Sequence, residues 1–243
     1  GYEPIKWSPD SRGLVIESSS MMASSEAAFL DLNKLATDQE PEVFLPIKSA
    51  NEVIGFVDDN HLLFVYGRSF ARIVDVRTGE ITKILPGFGC HGRTINTEAE
   101  QDEAVRVRDH IQAESSLSIS GRLLAQNACA SIVGGDLHIL DIVSGAIMQT
   151  YLVVQGRWID PEFMRFSPDE QLLIICRGSS YDRSYFIQIF FVEENKSLLP
   201  IRPEGDVRKL RWLPDSRSFV FLLVSGKLSV YNLDTENVTF ELE

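Results

Sequence analysis

Short apolar runs alternate along this chain with turns rich in Pro, Asp, Ser and Gly, and the alternation repeats. The stretch Trp7-Ser8-Pro9-Asp10-Ser11-Arg12 returns as Phe166-Ser167-Pro168-Asp169-Glu170-Gln171 and again as Trp212-Leu213-Pro214-Asp215-Ser216-Arg217. Weaker copies are Phe56-Val57-Asp58-Asp59-Asn60-His61 and Leu117-Ser118-Ile119-Ser120-Gly121-Arg122. The leading residues are spaced 49, 61, 49 and 46 positions apart, so one period runs through the chain and one unit carries an insertion.

Each unit has the same internal order. An apolar stretch ends at the leading residue, and a turn follows that suits a tight reversal. A second apolar run comes next: Leu14 to Ile16, Leu62 to Tyr66, Leu123 to Ala125, Leu172 to Cys176 and Phe219 to Val224. A third run aligns as a six-residue column, Ala27 to Leu32, Ala71 to Val76, Leu137 to Ile142, Ile187 to Val192 and Leu228 to Leu233. Its second position reads Ala28, Arg72, His138, Gln188 and Ser229, mostly polar between apolar neighbours, which is the period-two signature of a strand. Thr78-Gly79, Ser144-Gly145, Glu194-Asn195 or Thr235-Glu236-Asn237 then turns the chain into a fourth strand, such as Ile81 to Leu85, Ile147 to Val153 or Val238 to Leu242.

Five copies of a four-stranded antiparallel meander predict an all-β chain and a β-propeller with one blade per copy. A β-sandwich is the alternative, and the turn recurring at one fixed place in each copy argues against it. The predicted blades are 1–48, 49–87, 115–154, 161–202 and 205–243, in one propeller domain or propeller fragment. Residues 88–114 form an insertion whose segment 97–114 reads as a helix with a weak apolar face, six carboxylates and two Arg. The leading residues Trp7, Phe56, Phe166 and Trp212 are expected to be buried between blades.

The F/W-S-P-D turns, together with a third-strand column that ends in Asp31, Asp75 or Asp141 before a polar turn, resemble the WD-repeat propeller family. Leu30, Val74, Leu140, Phe190 and Tyr231 stand at positions related to that family's Trp. The Gly-His pair that usually ends each repeat is missing; Gly89-Cys90-His91 is its nearest match. Prolyl-oligopeptidase-type propellers share the S-P-D turns. The resemblance implies a non-catalytic scaffold for protein partners. The alternatives are an accessory or gating propeller of a larger prolyl-oligopeptidase-like hydrolase, and a five-bladed lectin. WD-repeat rings usually close with seven blades, so further blades or domains of a longer chain are expected.

Composition narrows the function classes. The 243 residues carry 23 Lys plus Arg against 35 Asp plus Glu, a formal net charge of −12. That balance opposes nucleic acid, whose phosphates need a basic face. No apolar run approaches the roughly 20 residues of a spanning helix, so no membrane insertion is expected. Cys90, Cys129 and Cys176 are an odd number at no metal-ligand spacing, which favours a reducing compartment: the cytoplasm, with the nucleus as the alternative. The triplets Asn195-Lys196-Ser197 and Asn237-Val238-Thr239 have sequon spacing, which chance readily supplies.

No enzymatic constellation stands out, and neither a cofactor nor a metal is expected. His61, His91, His110 and His138 form no ligand pair, and no nucleophile elbow or phosphate-cradling loop is present. Asp10, Asp59, Asp169 and Asp215 fall one per unit in equivalent turns and read as turn caps. The candidate partner-binding residues are Met21, Met22, Arg157, Trp158, Tyr181 and Arg183. They sit on the long connections that a propeller gathers on one face, and Trp, Tyr, Arg and Met are enriched at interfaces.

Overall fold

The computed structural model describes residues 6–18, 26–35, 42–45, 51–66, 70–85, 87–88, 94–95, 115–128, 136–152, 161–178 and 185–242. Among these the chain is all-β, with five antiparallel sheets of three or four strands and a single short helix, α1 (Leu32–Leu35). The first sheet runs β1 (Lys6–Trp7), β2 (Gly13–Ser18), β3 (Glu26–Asp31) and β4 (Glu42–Leu45). The second runs β5 (Asn51–Phe56), β6 (His61–Tyr66), β7 (Phe70–Asp75) and β8 (Ile81–Leu85). A hairpin of β9 (Gly87–Phe88) and β10 (Thr94–Ile95) opens the predicted insertion. Its predicted helix, 97–114, lies outside the described residues.

The third sheet contains β11 (Ser115–Leu117), β12 (Leu123–Ala128), β13 (Asp136–Asp141) and β14 (Ile147–Leu152). The fourth contains β15 (Pro161–Phe166), β16 (Leu172–Gly178) and β17 (Tyr185–Phe191), and the fifth β18 (Val207–Trp212), β19 (Ser218–Leu223), β20 (Leu228–Asn232) and β21 (Asn237–Leu242). In every sheet the strands are neighbours in chain order, the meander that the repeat predicted. The fourth sheet departs from the expected four strands. Beside β17 the chain makes two isolated bridges, Ile187 to Ile201 and Phe190 to Ser197. Pro200 lies between those bridges and Pro203 just beyond, and proline cannot donate to a ladder. No described helix is long and apolar enough to cross a membrane.

The chain divides into two compact units, Gly1–His110 and Ile111–Glu243. In the first, the core is a face-to-face contact between its sheets: Val15, Ala27 and Phe29 meet Val53, Phe56, Leu62 and Phe64. Phe29 and Phe56 cross edge to face at 6.3 Å. In the second unit the fourth sheet is packed on both faces. Met164, Leu173, Ile175 and Phe190 meet the third sheet, and Leu172, Ile174, Cys176 and Ile189 meet the fifth.

Burial on two faces accounts for the polar column. Its residues alternate with apolar neighbours along the strand, and His138, Gln188 and Ser229 are nevertheless buried and Arg72 half-buried. Gln188 and Ser229 lie opposite Ile175 and Phe221, on the face turned to the preceding sheet. Such groups need partners. The His138 imidazole shares a hydrogen bond with Thr150 Oγ1 at 3.0 Å, and Gln188 Nε2 donates to Ser197 Oγ at 3.3 Å.

The leading residues also divide. Phe56 and Phe166 are buried as expected, but Trp7 is 57% exposed. Trp7 pairs with Leu14, on the face of the first sheet that looks away from the second. Trp212 is half-buried: its ring meets Phe219 edge to face at 5.8 Å and its indole N–H donates to the Arg165 carbonyl at 3.1 Å. Cys176 is a fully buried core residue.

Candidate functional site

The recurring turn is a small hydrogen-bonded machine. In the first sheet Ser8 Oγ donates to Asp10 Oδ1 at 2.7 Å and accepts from the Gly13 amide at 2.9 Å, while Asp10 Oδ1 accepts from the Arg12 amide at 3.0 Å. The fourth sheet repeats this with Ser167, Asp169, Gln171 and Leu172. In the fifth, Asp215 accepts from the Arg217 and Ser218 amides. The residue after the Asp is left-handed in these turns, with φ of 58° at Ser11, 60° at Glu170 and 55° at Ser216; Gly121 takes the place in the third sheet at 73°. The second sheet closes its turn one residue sooner, with the Val57 amide bonded to the His61 carbonyl, and Asp58 there accepts from the His61 amide and ring.

These turns also tie neighbouring sheets together within each unit. The Asp10 amide donates to Asp59 Oδ1 at 3.0 Å, and the Asp169 amide to Ser216 Oγ at 3.0 Å. Glu170 accepts from the Ser120 amide at 2.5 Å and hydroxyl at 2.8 Å. Asp10, Asp169 and Asp215 are therefore turn caps, as the sequence suggested, but in the second sheet Asp58 is the cap and Asp59 instead accepts from the Asp10 amide. Hydrogen bonding holds Asp10 and Asp215 below the usual carboxylate range.

The turn from third to fourth strand has its own cap. Asp141 accepts from the Ser144 amide at 2.8 Å and from Arg122 Nε at 3.0 Å, which holds its carboxyl near 2 against an ordinary 3.8. A group whose folded pKa is depressed stabilises the fold above its unfolded pKa and loses that contribution as pH falls through the folded one. Asp141→Asn is thus expected to melt below the wild type at neutral pH. The gap should close as pH drops from about 4 to about 2. Melting curves at stepped pH check this, and a gap constant across that window counts against the cap.

Between the turns of the second unit lies a cleft of about 530 Å³. Met148 and Phe191 supply apolar wall, Arg122 and Arg217 bring cations, and Glu193 and Glu194 bring acid. The neighbouring strand β14 fixes one wall. Tyr151 Oη donates to the Phe191 and Glu194 carbonyls, and Gln149 Nε2 donates to the Glu193 carbonyl at 3.2 Å. Burial pushes the Tyr151 phenol up to about 12, so it remains a donor at all physiological pH. The Lys196 ammonium rests 4.1 Å from the Phe191 ring centroid and pairs with Glu194. The cleft thus presents both cations and carboxylates on a partly apolar wall. Among the described residues no group of His, Cys, Asp and Glu is placed to hold a metal.

Met21, Met22, Arg157, Trp158, Tyr181 and Arg183 all lie outside the described residues. The sequence reading missed the cleft, because it is built by residues of three sheets of the second unit and no single turn carries a signal for it.

No protein-family model matches this chain, and no curated protein matches its sequence. Among solved structures it is similar to hydrazine synthase from Kuenenia stuttgartiensis, with 13% sequence identity and a TM-score of 0.64. The match covers 96% of this chain and 64% of that one, so the chain spans less than two thirds of the length of its structural neighbour. A likeness at that identity speaks for the fold alone.

Proposed function

We propose that the chain is a WD-repeat-like β-propeller, or a run of its blades, acting as a non-catalytic protein-binding scaffold. One observation carries the reading: in the first, third and fourth sheets the long second-to-third connections leave at the end of the strands opposite the recurring turns. The first-to-second turns are short and internally bonded, whereas the second-to-third connections, such as residues 19–25, 129–135 and 179–184, are longer and leave from the opposite end. Sheets packed face to face make a stiff support for such loops. The partner is a protein that meets the loop residues Met21, Met22, Arg157, Trp158, Tyr181 and Arg183.

Trp158 is the strongest anchor. Its truncation to Ala should cost the partner about 2 kcal/mol of binding, roughly thirtyfold in Kd, with the melting temperature unchanged. The partner is first captured by cross-linking and identified. Its affinity is then measured for the wild type, for Trp158→Ala and for the turn-end variant Glu193→Gln/Glu194→Gln. Loss with Trp158→Ala and none with the turn-end variant supports the loop face. The reverse pattern moves the interface to the turns, and a lowered melting temperature with unchanged affinity makes Trp158 a packing residue.

A further inference from the structure

The sheets of this chain use one kind of interface repeatedly, and its two halves lie open at the first and fifth sheets. The half that faces a preceding sheet is seen in the fourth sheet at Phe166, Leu173, Ile175 and Phe190, which are 9%, 0%, 0% and 1% exposed. The residues at the same register in the first sheet are Trp7, Leu14, Ile16 and Leu30. Trp7 is 57% and Ile16 40% exposed, and the other two are half-buried. The half that faces a following sheet is seen in the fourth sheet at Ile174, Cys176, Ile187 and Ile189, all within 1% of complete burial. Their counterparts in the fifth sheet are Val220, Leu222, Leu228 and Val230, each half-buried and continued by Phe240, which is 52% exposed.

We propose that a second copy of this chain fills the open face: the first-sheet face of one copy docks on the fifth-sheet face of the other. Continuity with the interface already used inside the chain selects that occupant, since the two open faces are the complementary halves of one packing. Each copy carries a formal −12, so the two repel at long range and the apolar faces have to carry the contact. Contiguous apolar faces of this kind are seldom left in water. Because the two halves differ, the contact is head to tail and propagates into rings or filaments unless one half is blocked.

Sedimentation across a concentration series tests this on the full chain. The wild type should associate with rising concentration. Ile16→Lys, which blocks the first-sheet half, and Val220→Lys, which blocks the fifth-sheet half, should each be monomeric when studied separately. An equimolar mixture of the two should form a one-to-one dimer and nothing larger, since one intact pair of faces remains. Should either variant melt early, Trp7→Lys and Phe240→Lys replace them, at side chains already more than half exposed. A monomeric wild type overturns the proposal, as does association that persists in both single variants, or a mixture that stays monomeric.

Discussion

Replacing Phe219 by Ala is expected to destabilise the second unit by about 3–5 kcal/mol, the usual cost of removing a fully buried ring. Phe219 is 0% exposed and stands at the centre of an aromatic group. Its ring lies 5.8 Å from Trp212, 6.1 Å from Phe221 and 5.3 Å from Tyr231, centroid to centroid. These neighbours belong to three strands of one sheet, so none can collapse into the vacated space without breaking its own register. Trp212→Ala should cost less, because that ring is half-buried and water can replace its indole N–H as the donor to the Arg165 carbonyl. Urea unfolding at constant m separates the two variants. A Phe219→Ala midpoint within about 1 kcal/mol of wild type would show the ring to be peripheral.

That ordering reverses the emphasis of the sequence, where the recurring Trp and Phe before each turn looked like the buried anchors. What a local motif records is local chemistry. Ser8, Asp10, Ser167, Asp169 and Asp215 were recognisable because the bonds they make close within six residues, and any chain with that spacing can make them. Burial of the leading residue is decided elsewhere. Phe166 has a third sheet to pack on, while Trp7 occupies the same register on a face left open.

Burial of the polar column has a related explanation. Alternation normally sorts apolar inside from polar outside. Where a sheet is covered on both faces, as the fourth is, alternation instead sorts two interiors, one of them containing Gln188. The missing fourth strand had a local cause that the sequence did display, Pro200 and Pro203, outweighed there by the expectation that the repeat would complete itself. For the site the division runs the same way. Individual turns were legible, but the cleft that Met148, Phe191 and Glu194 share exists only once Tyr151 reaches across from β14 to pin the Phe191–Glu194 turn.

Repeat-equivalent positions make the sharpest test of two-faced burial. Ile174 and Val220 occupy the same register, opposite Arg165 and Arg211. Both are β-branched residues on the second strand of their sheets, so strand propensity is matched. They differ in surroundings: Ile174 is 0% exposed against the fifth sheet, and Val220 lies half-buried on that sheet's far face. Ile174→Lys would force an ammonium into an apolar contact with no counter-charge, a penalty of several kcal/mol that rivals the roughly 5–15 kcal/mol of a whole domain. That variant is expected to be unfolded or insoluble. Val220→Lys can carry its ammonium to water along its aliphatic stem, and at dilutions where the wild type is monomeric should keep a cooperative transition with a melting temperature near the wild type. Circular dichroism melts of the pair decide the matter. A folded Ile174→Lys would mean that the fourth and fifth sheets do not pack as described, and a Val220→Lys equally damaged would mean that the far face of the fifth sheet is covered in the folded chain.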